Sequence, residues 1–375
     1  MNPIRTRALT MVVGAATLGV VGLGASGTAS ATTPNISFPG FGQKVVYVST
    51  NSTTANAVEA FAAQGNGSLV QIGTYPTGGT GNGGSGFSQG SVTLDQQTGS
   101  LFVVNAGSGQ VSDFAVQPNG GLVLRGTVAS GGAQPISVAS AGNLVEVLNA
   151  GGTPNVTGFV ATPAGLRPIA GGSQPLSAGA SGPEDVVISP DLAHVVVTEK
   201  VSNTIDTFAV GANWSLSPAV TSPSDTPLAF AAVFTPSGQL LVADDGANGT
   251  SAASSYRVNL NGTVTSTQPS LPDAQTAACW ISLDRNGDFF LSNAGSATMG
   301  SYELLPDGRL AFLGNTSAGN GAHPLDSAVS SDGQDLYVLD GNLNQISVFA
   351  IGQDAQLTAV GAQAVPAGSA GVAAS

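Results

Sequence analysis

Seven small polar residues, Ser49, Asn105, Asn149, Thr198, Asp244, Asn293 and Asp340, each close a short apolar stretch and precede a polar turn. The stretches read VVYVS (45–49), LFVVN (101–105) or LYVLD (336–340). Oxygen-bearing side chains drawn from seven copies of one unit suit a ring, and such a ring can hold a hard cation such as Ca²⁺ or a sugar-like ligand. Asp244 and Asp340 carry the charge a cation needs, with Asn105, Asn149 and Asn293 as neutral ligand contacts. The same residue types also start turns by bonding their own backbone, so a local role stands beside the ring.

Departures from the repeated pattern add reactive groups. The fourth copy follows its polar position with Glu199-Lys200 and the fifth with Asp245-Gly246, where others have Ala-Gly or similar. Asp185 and Asp326 occupy equivalent places before the next apolar stretch, with Glu184 and His323 close by. His323 or Glu199 is a candidate general base, and Lys200 a candidate partner for a developing oxyanion. Glu184, Asp185 and Asp326 are candidate substrate contacts. Trp280 takes the place of Asp326 in the sixth copy, where it either plugs a channel or offers a stacking platform for a sugar ring. Ordinary roles compete with these: Glu199-Lys200 as a solvated loop pair, His323 as a turn cap before Pro324, and Cys279 as a small buried residue.

The elements that must position these groups follow from a second landmark. Phe61, Phe114, Phe159, Phe208, Tyr256, Tyr302 and Phe349 each have an apolar or small residue three positions before, and they are spaced by 53, 45, 49, 48, 46 and 47 residues. Repeats of this length built from short strands predict a β-propeller with seven four-stranded antiparallel blades. Pro and Gly fall in turns such as PNGG (118–121) and PDGR (306–309), not in strand centres. The first copy lacks an inner strand and the tail GSAGVAAS (368–375) reads as a spare one, so the tail is expected to complete the first blade and close the ring. Inner-strand starts and second-to-third-strand loops then open on one face, the mouth of the channel.

With its SPDL (189–192) and PSG (236–238) turns, AACW (277–280) and closing GVAAS (371–375), the mature chain resembles the secreted branch of the seven-bladed propeller lactonase family. That family includes propeller-type phosphogluconolactonases and fungal carboxymuconate cyclases. The resemblance implies hydrolysis of a small-molecule lactone at the mouth. Its characterised members act on anionic substrates and rely on Arg and His in the pocket. Here Arg125 and Arg167 fall in outer strands, Arg257 in a third strand, and Arg285 and Arg309 in turns on the opposite face. A neutral or weakly charged lactone therefore fits better, since anionic groups call for guanidinium clamps. A non-catalytic extracellular propeller that binds a ligand or a protein is the rival reading, because this fold carries unrelated functions.

Residues 1–31 read as a bacterial-looking secretion signal: Arg5 and Arg7, an apolar run, then Ala29-Ser30-Ala31. Residues 32–44 form a leader and 45–375 the propeller. Without the signal the net charge moves from −13 to −15, with 7 Lys+Arg against 22 Asp+Glu. Such a chain repels phosphate backbones and anionic bilayers, so neither nucleic acid nor a membrane is an expected partner, and a secreted monomer is expected. One cysteine excludes an intramolecular disulfide.

Overall fold

The computed structural model describes residues 43–84, 88–177, 182–246 and 249–375. The expected signal and nearly all of the leader lie outside these residues. The described residues form seven four-stranded antiparallel sheets, and their inner strands touch one another in a closed cycle. The fold is the seven-bladed propeller. The inner strands are Val92–Asp95 in blade 2, Ala133–Ala141 in blade 3 and Pro183–Ile188 in blade 4. Those of blades 5, 6 and 7 are Ala229–Phe234, Ala278–Leu283 and Pro324–Val329. Blade 1 takes its inner strand, Ala370–Ala374, from the end of the chain. That strand pairs Ala374, Ala373 and Val372 with Val46, Tyr47 and Val48. Ser375 clamps the seam: Val45 N–H donates to its Oγ at 2.9 Å, and its own N–H donates to the Val45 carbonyl at 3.0 Å.

The repeated aromatic sets the register of every blade. Phe61, Phe114, Phe159, Phe208, Tyr256, Tyr302 and Phe349 lie on third strands opposite Val46, Leu101, Val145, Val195, Leu240, Phe289 and Leu336 of the second strands. None of the seven aromatics is more than 1% exposed. Burial of each such ring contributes roughly 1.5–3 kcal/mol. Side chains alternate across each sheet, so a blade is apolar on both faces, and the core divides into seven clusters, six shared by two neighbouring blades and one, over blades 7 and 1, that also takes Trp280 and Ala294 of blade 6.

Polar bonds join the blades at one depth. Tyr47 Oη donates to the Gly120 carbonyl of blade 2, Ser255 Oγ to Gly308 of blade 6, and Ser301 Oγ to Ala355 of blade 7, at 2.9, 2.6 and 2.9 Å. Thr207 Oγ1 does the same for Gly262 of blade 5. Blade 3 places Glu146 at the level of Tyr47, and both of its carboxyl oxygens are buried without a partner.

Candidate active site

The polar position at the end of each second strand lies four residues beyond the residue opposite the aromatic. By that count Asn105, Asn149, Asp244, Asn293 and Asp340 are equivalent, as the sequence indicates. In blades 1 and 4 the equivalent residues are Thr50 and Glu199, not Ser49 and Thr198. In blade 1 the loop to the aromatic is longer than in most copies, while in blade 4 Glu199 and Phe208 are spaced as Asn105 and Phe114 are, and the small polar Thr198 beside Glu199 resembles the consensus more than the true position does. These side chains are bonded between blades or within their own turns. Asn105 donates to Ser112 Oγ at 2.8 Å and accepts from Thr77 Oγ1 at 2.7 Å, at the end of the preceding blade. Asn149 donates to the Ser130 carbonyl, and Asn293 to Asp273 Oδ2. Asp244 accepts from Ser254, and Asp340 Oδ1 accepts the N–H groups of His323, Asn342 and Leu343. Among the described residues no group of three His, Cys, Asp or Glu side chains is placed to hold a metal, and Asp244 and Asp340 stand apart on blades 5 and 7. This donor set does not fit a cation.

A second ring lies at one level of the inner strands. Ser91, Ser137, Asp185, Ala231, Trp280, Asp326 and Gly371 hold one register position on the seven inner strands. Inner strands are sheet edges, and their free N–H groups need acceptors. Asp185 meets this need by accepting from Ala232 N–H of blade 5 at 3.0 Å, and it also accepts from Ser137 Oγ of blade 3 at 2.8 Å. Asp326 accepts from Val372 N–H of blade 1 at 3.1 Å. Burial raises both carboxyls, that of Asp326 to about 7, and each is bonded to the backbone of the next blade. Their geometry is that of structural acceptors.

The axis itself is crossed by Ser88–Ser91. Gln89 Nε2 donates to the Ala232 carbonyl of blade 5 at 3.3 Å, while Ile281 N–H of blade 6 donates to its Oε1 at 2.8 Å. Ser88 Oγ donates to the Glu184 carbonyl of blade 4. Val138 N–H of blade 3 donates to the Gly90 carbonyl at 2.9 Å, and Gly90 N–H reaches Asp326 of blade 7. Four residues of blade 2 thus bond to five other blades. Sequence reasoning missed this segment. Its signal is Gly90, which stands where the other inner strands carry Ile136, Glu184, Phe230, Cys279, Leu325 and Ala370.

Those six residues form the tier above the axial ring, and Glu184 is its one acid. Its Oε1 pairs with Lys200 Nζ, whose ammonium lies 4.8 Å from the centroid of the Phe230 ring. Glu184 Oε2 is buried without a partner. Burial pushes the Glu184 carboxyl up to about 7 against the opposing pull of Lys200. Lys200 keeps 35% of its side-chain surface exposed, so its charge faces both the acid and solvent. Cys279 of the same tier is raised to about 12 by burial and by Asp245 and Glu184, which makes it a poor nucleophile. Glu184, Lys200, Phe230, Asp245 and Cys279 therefore share one corner of the mouth over blades 4 to 6.

The other expected groups lie elsewhere. Glu199 is fully buried, and its Oε2 accepts from Ser202 and Thr204, both at 2.9 Å. His323 sits between blades 6 and 7, where its Nδ1 faces the Ala294 carbonyl at 3.1 Å. A carbonyl only accepts, so Nδ1 carries the proton and Nε2 is left as the acceptor of the neutral ring. Trp280 packs against Leu325 and Leu339 of blade 7, with Nε1 buried and unpartnered.

Scanned against protein-family models and against curated protein sequences, the chain matches none. Among solved structures it is similar to a candidate 6-phosphogluconolactonase from Bacteroides uniformis, at 18% identity and a TM-score of 0.71, covering 86% of this chain and 96% of that one. A candidate 6-phosphogluconolactonase from Bacteroides fragilis aligns over 90% of this chain and 99% of its own, with 17% identity and a TM-score of 0.70. The periplasmic gluconolactonase of Pseudomonas aeruginosa gives 17% identity and a TM-score of 0.68, over 88% and 98% of the two chains. The shared feature is the lactonase-like propeller fold.

Proposed function

We propose that the chain is an exported hydrolase that opens a neutral or weakly charged lactone at the mouth over blades 4 to 6. The observation that carries this reading is the Glu184–Lys200 pair, with one carboxyl oxygen held by the ammonium and the other unpartnered. Ester hydrolysis needs a base that takes a proton from water and a positive group beside the carbonyl oxygen as charge develops there. Glu184 Oε2 takes the proton. Lys200, with N–H donors left after its bond to Glu184, meets the oxyanion. The alkoxide released when the ring C–O bond breaks then recovers the proton from Glu184, leaving a hydroxy acid. Phe230 supplies an apolar wall against the lactone ring. No arginine lines this corner among the described residues, which supports a substrate without phosphate. Glu184 replaces His323 and Glu199 as the base because it is the acid paired with Lys200, whereas Glu199 Oε2 accepts from Ser202 and Thr204 and His323 belongs to blades 6 and 7. A propeller that binds without turnover is the rival reading, supported by the crossed axis.

The test is hydrolysis of neutral and phosphorylated lactones by the purified protein between pH 5.5 and 8. A carboxylate base with a pKa of about 7 makes the rate rise through that value. Glu184→Gln is expected to lose about 10²–10⁴-fold. Lys200→Met removes the charge that favours ionised Glu184, so the rising limb moves to higher pH as the rate falls. Unchanged turnover in Glu184→Gln would remove this assignment. No turnover of any lactone would leave the binding reading.

A further inference from the structure

The face opposite the mouth carries a cleft of about 790 Å³ where turns of blades 4, 5 and 6 meet, lined by Arg257, Arg285, Gln239, Asn286 and Ser237 among others. Seven Lys or Arg residues follow position 31. Lys44, Arg125, Lys200 and Arg309 are each ion-paired. Among the described residues Arg167, Arg257 and Arg285 have no ion-pair or hydrogen-bond partner, and two of those three line this one cleft. In a chain with three times as many acids as bases, two unpaired guanidinium groups in one cavity are not the outcome of general charge balance. Three carboxylates near the cleft carry other bonds. Asp191 accepts from Ser189 Oγ at 2.6 Å and Ala193 N–H at 3.0 Å, Asp284 accepts from Asn286 and Asp288 N–H, and Asp307 holds Arg309 at 2.7 Å. The floor is fixed by the bond from Ser255 Oγ to the Gly308 carbonyl and by Gln239 Nε2 on Thr267 Oγ1 at 3.0 Å.

We propose that this cleft binds a small molecule carrying two oxyanion groups, either phosphate or carboxylate, with one guanidinium fork on each. Gln239 Oε1, Asn286 and Ser237 line the space between as contacts for hydroxyl groups. The site is independent of the Glu184–Lys200 reading and lies on the other side of the crossed axis. Calorimetric titration of the purified protein with pyrophosphate and with succinate tests it, and the tighter of the two identifies the oxyanion. Saturable binding is expected, weakened roughly tenfold or more by Arg257→Gln and by Arg285→Gln, with Arg167→Gln unchanged. Arg257→Lys keeps the charge without the fork and is expected to fall between. The proposal is overturned if neither anion binds, or if Arg167→Gln weakens binding as much as the cleft variants.

Discussion

Glu146 is the residue whose environment departs furthest from its chemistry. Both oxygens are buried without partners at the boundary of blades 3 and 4, where burial alone raises its carboxyl well above the ordinary value. The folded form holds the proton and the unfolded form releases it near pH 4.3. Any stability that depends on the protonated acid is therefore full below that pH and falls as pH rises toward the folded value. Glu146→Gln keeps the shape and removes the titration. It is expected to raise stability at pH 7 by on the order of 1–3 kcal/mol and to flatten the pH dependence in denaturant melts. A loss of stability at pH 7 would mean that the carboxylate has a partner when folded. Nothing in the sequence around Glu146 marks it as buried. Only its place in the register, level with Tyr47, does so. The same limit hid the Glu184–Lys200 contact: both residues belong to blade 4, but they lie 16 positions apart and no other copy repeats the pair.

At the scale of one element, the segment Ser88–Ser91 replaces the start of an inner strand with a crossing of the axis. Gly90 sits at φ +73°, and a Cβ there would come within 2.8 Å of Ser137 Oγ. Gly90→Ala is expected to cost about 1–3 kcal/mol. Gln89→Ala leaves Ile281 N–H and the Ala232 carbonyl without their partner and is expected to cost a similar 1–3 kcal/mol. Denaturant titration checks both, and wild-type midpoints would refute the crossing. The regular elements were legible because a fully buried aromatic recurs with the blade period. The polar position shifts by one in blade 1, where the loop to the aromatic is longer than in most copies, and in blade 4, where the loop is of common length but Thr198 resembles the consensus and Glu199 does not. The crossing segment left only a glycine as its trace.

For the whole molecule, closure depends on Ala370–Ala374 joining Val45–Ser49. A chain ending at Gly368 exposes an apolar strand edge on blade 1. It is expected to lose the sharp cooperative melt of the full ring or to associate through that edge, both visible by light scattering coupled to gel filtration. A monomer with an unchanged melt would show that the seam contributes little. The sevenfold count and the closing tail were legible because repeat length and a leftover strand are properties of the chain as a line. The mouth corner and the opposite cleft gather residues from several blades, and one sequence does not indicate which side chains bond one another there.

The crossed axis also bears on how such a protein changes over generations. A propeller whose blades touch only their neighbours tolerates duplication or loss of a blade by widening or narrowing its ring. Here Gln89 spans from blade 2 to Ala232 and Ile281 on the opposite side. An eighth blade would widen the axis beyond the reach of one glutamine side chain, and a sixfold ring would leave no room for it. The segment therefore acts as a gauge matched to a ring of seven blades.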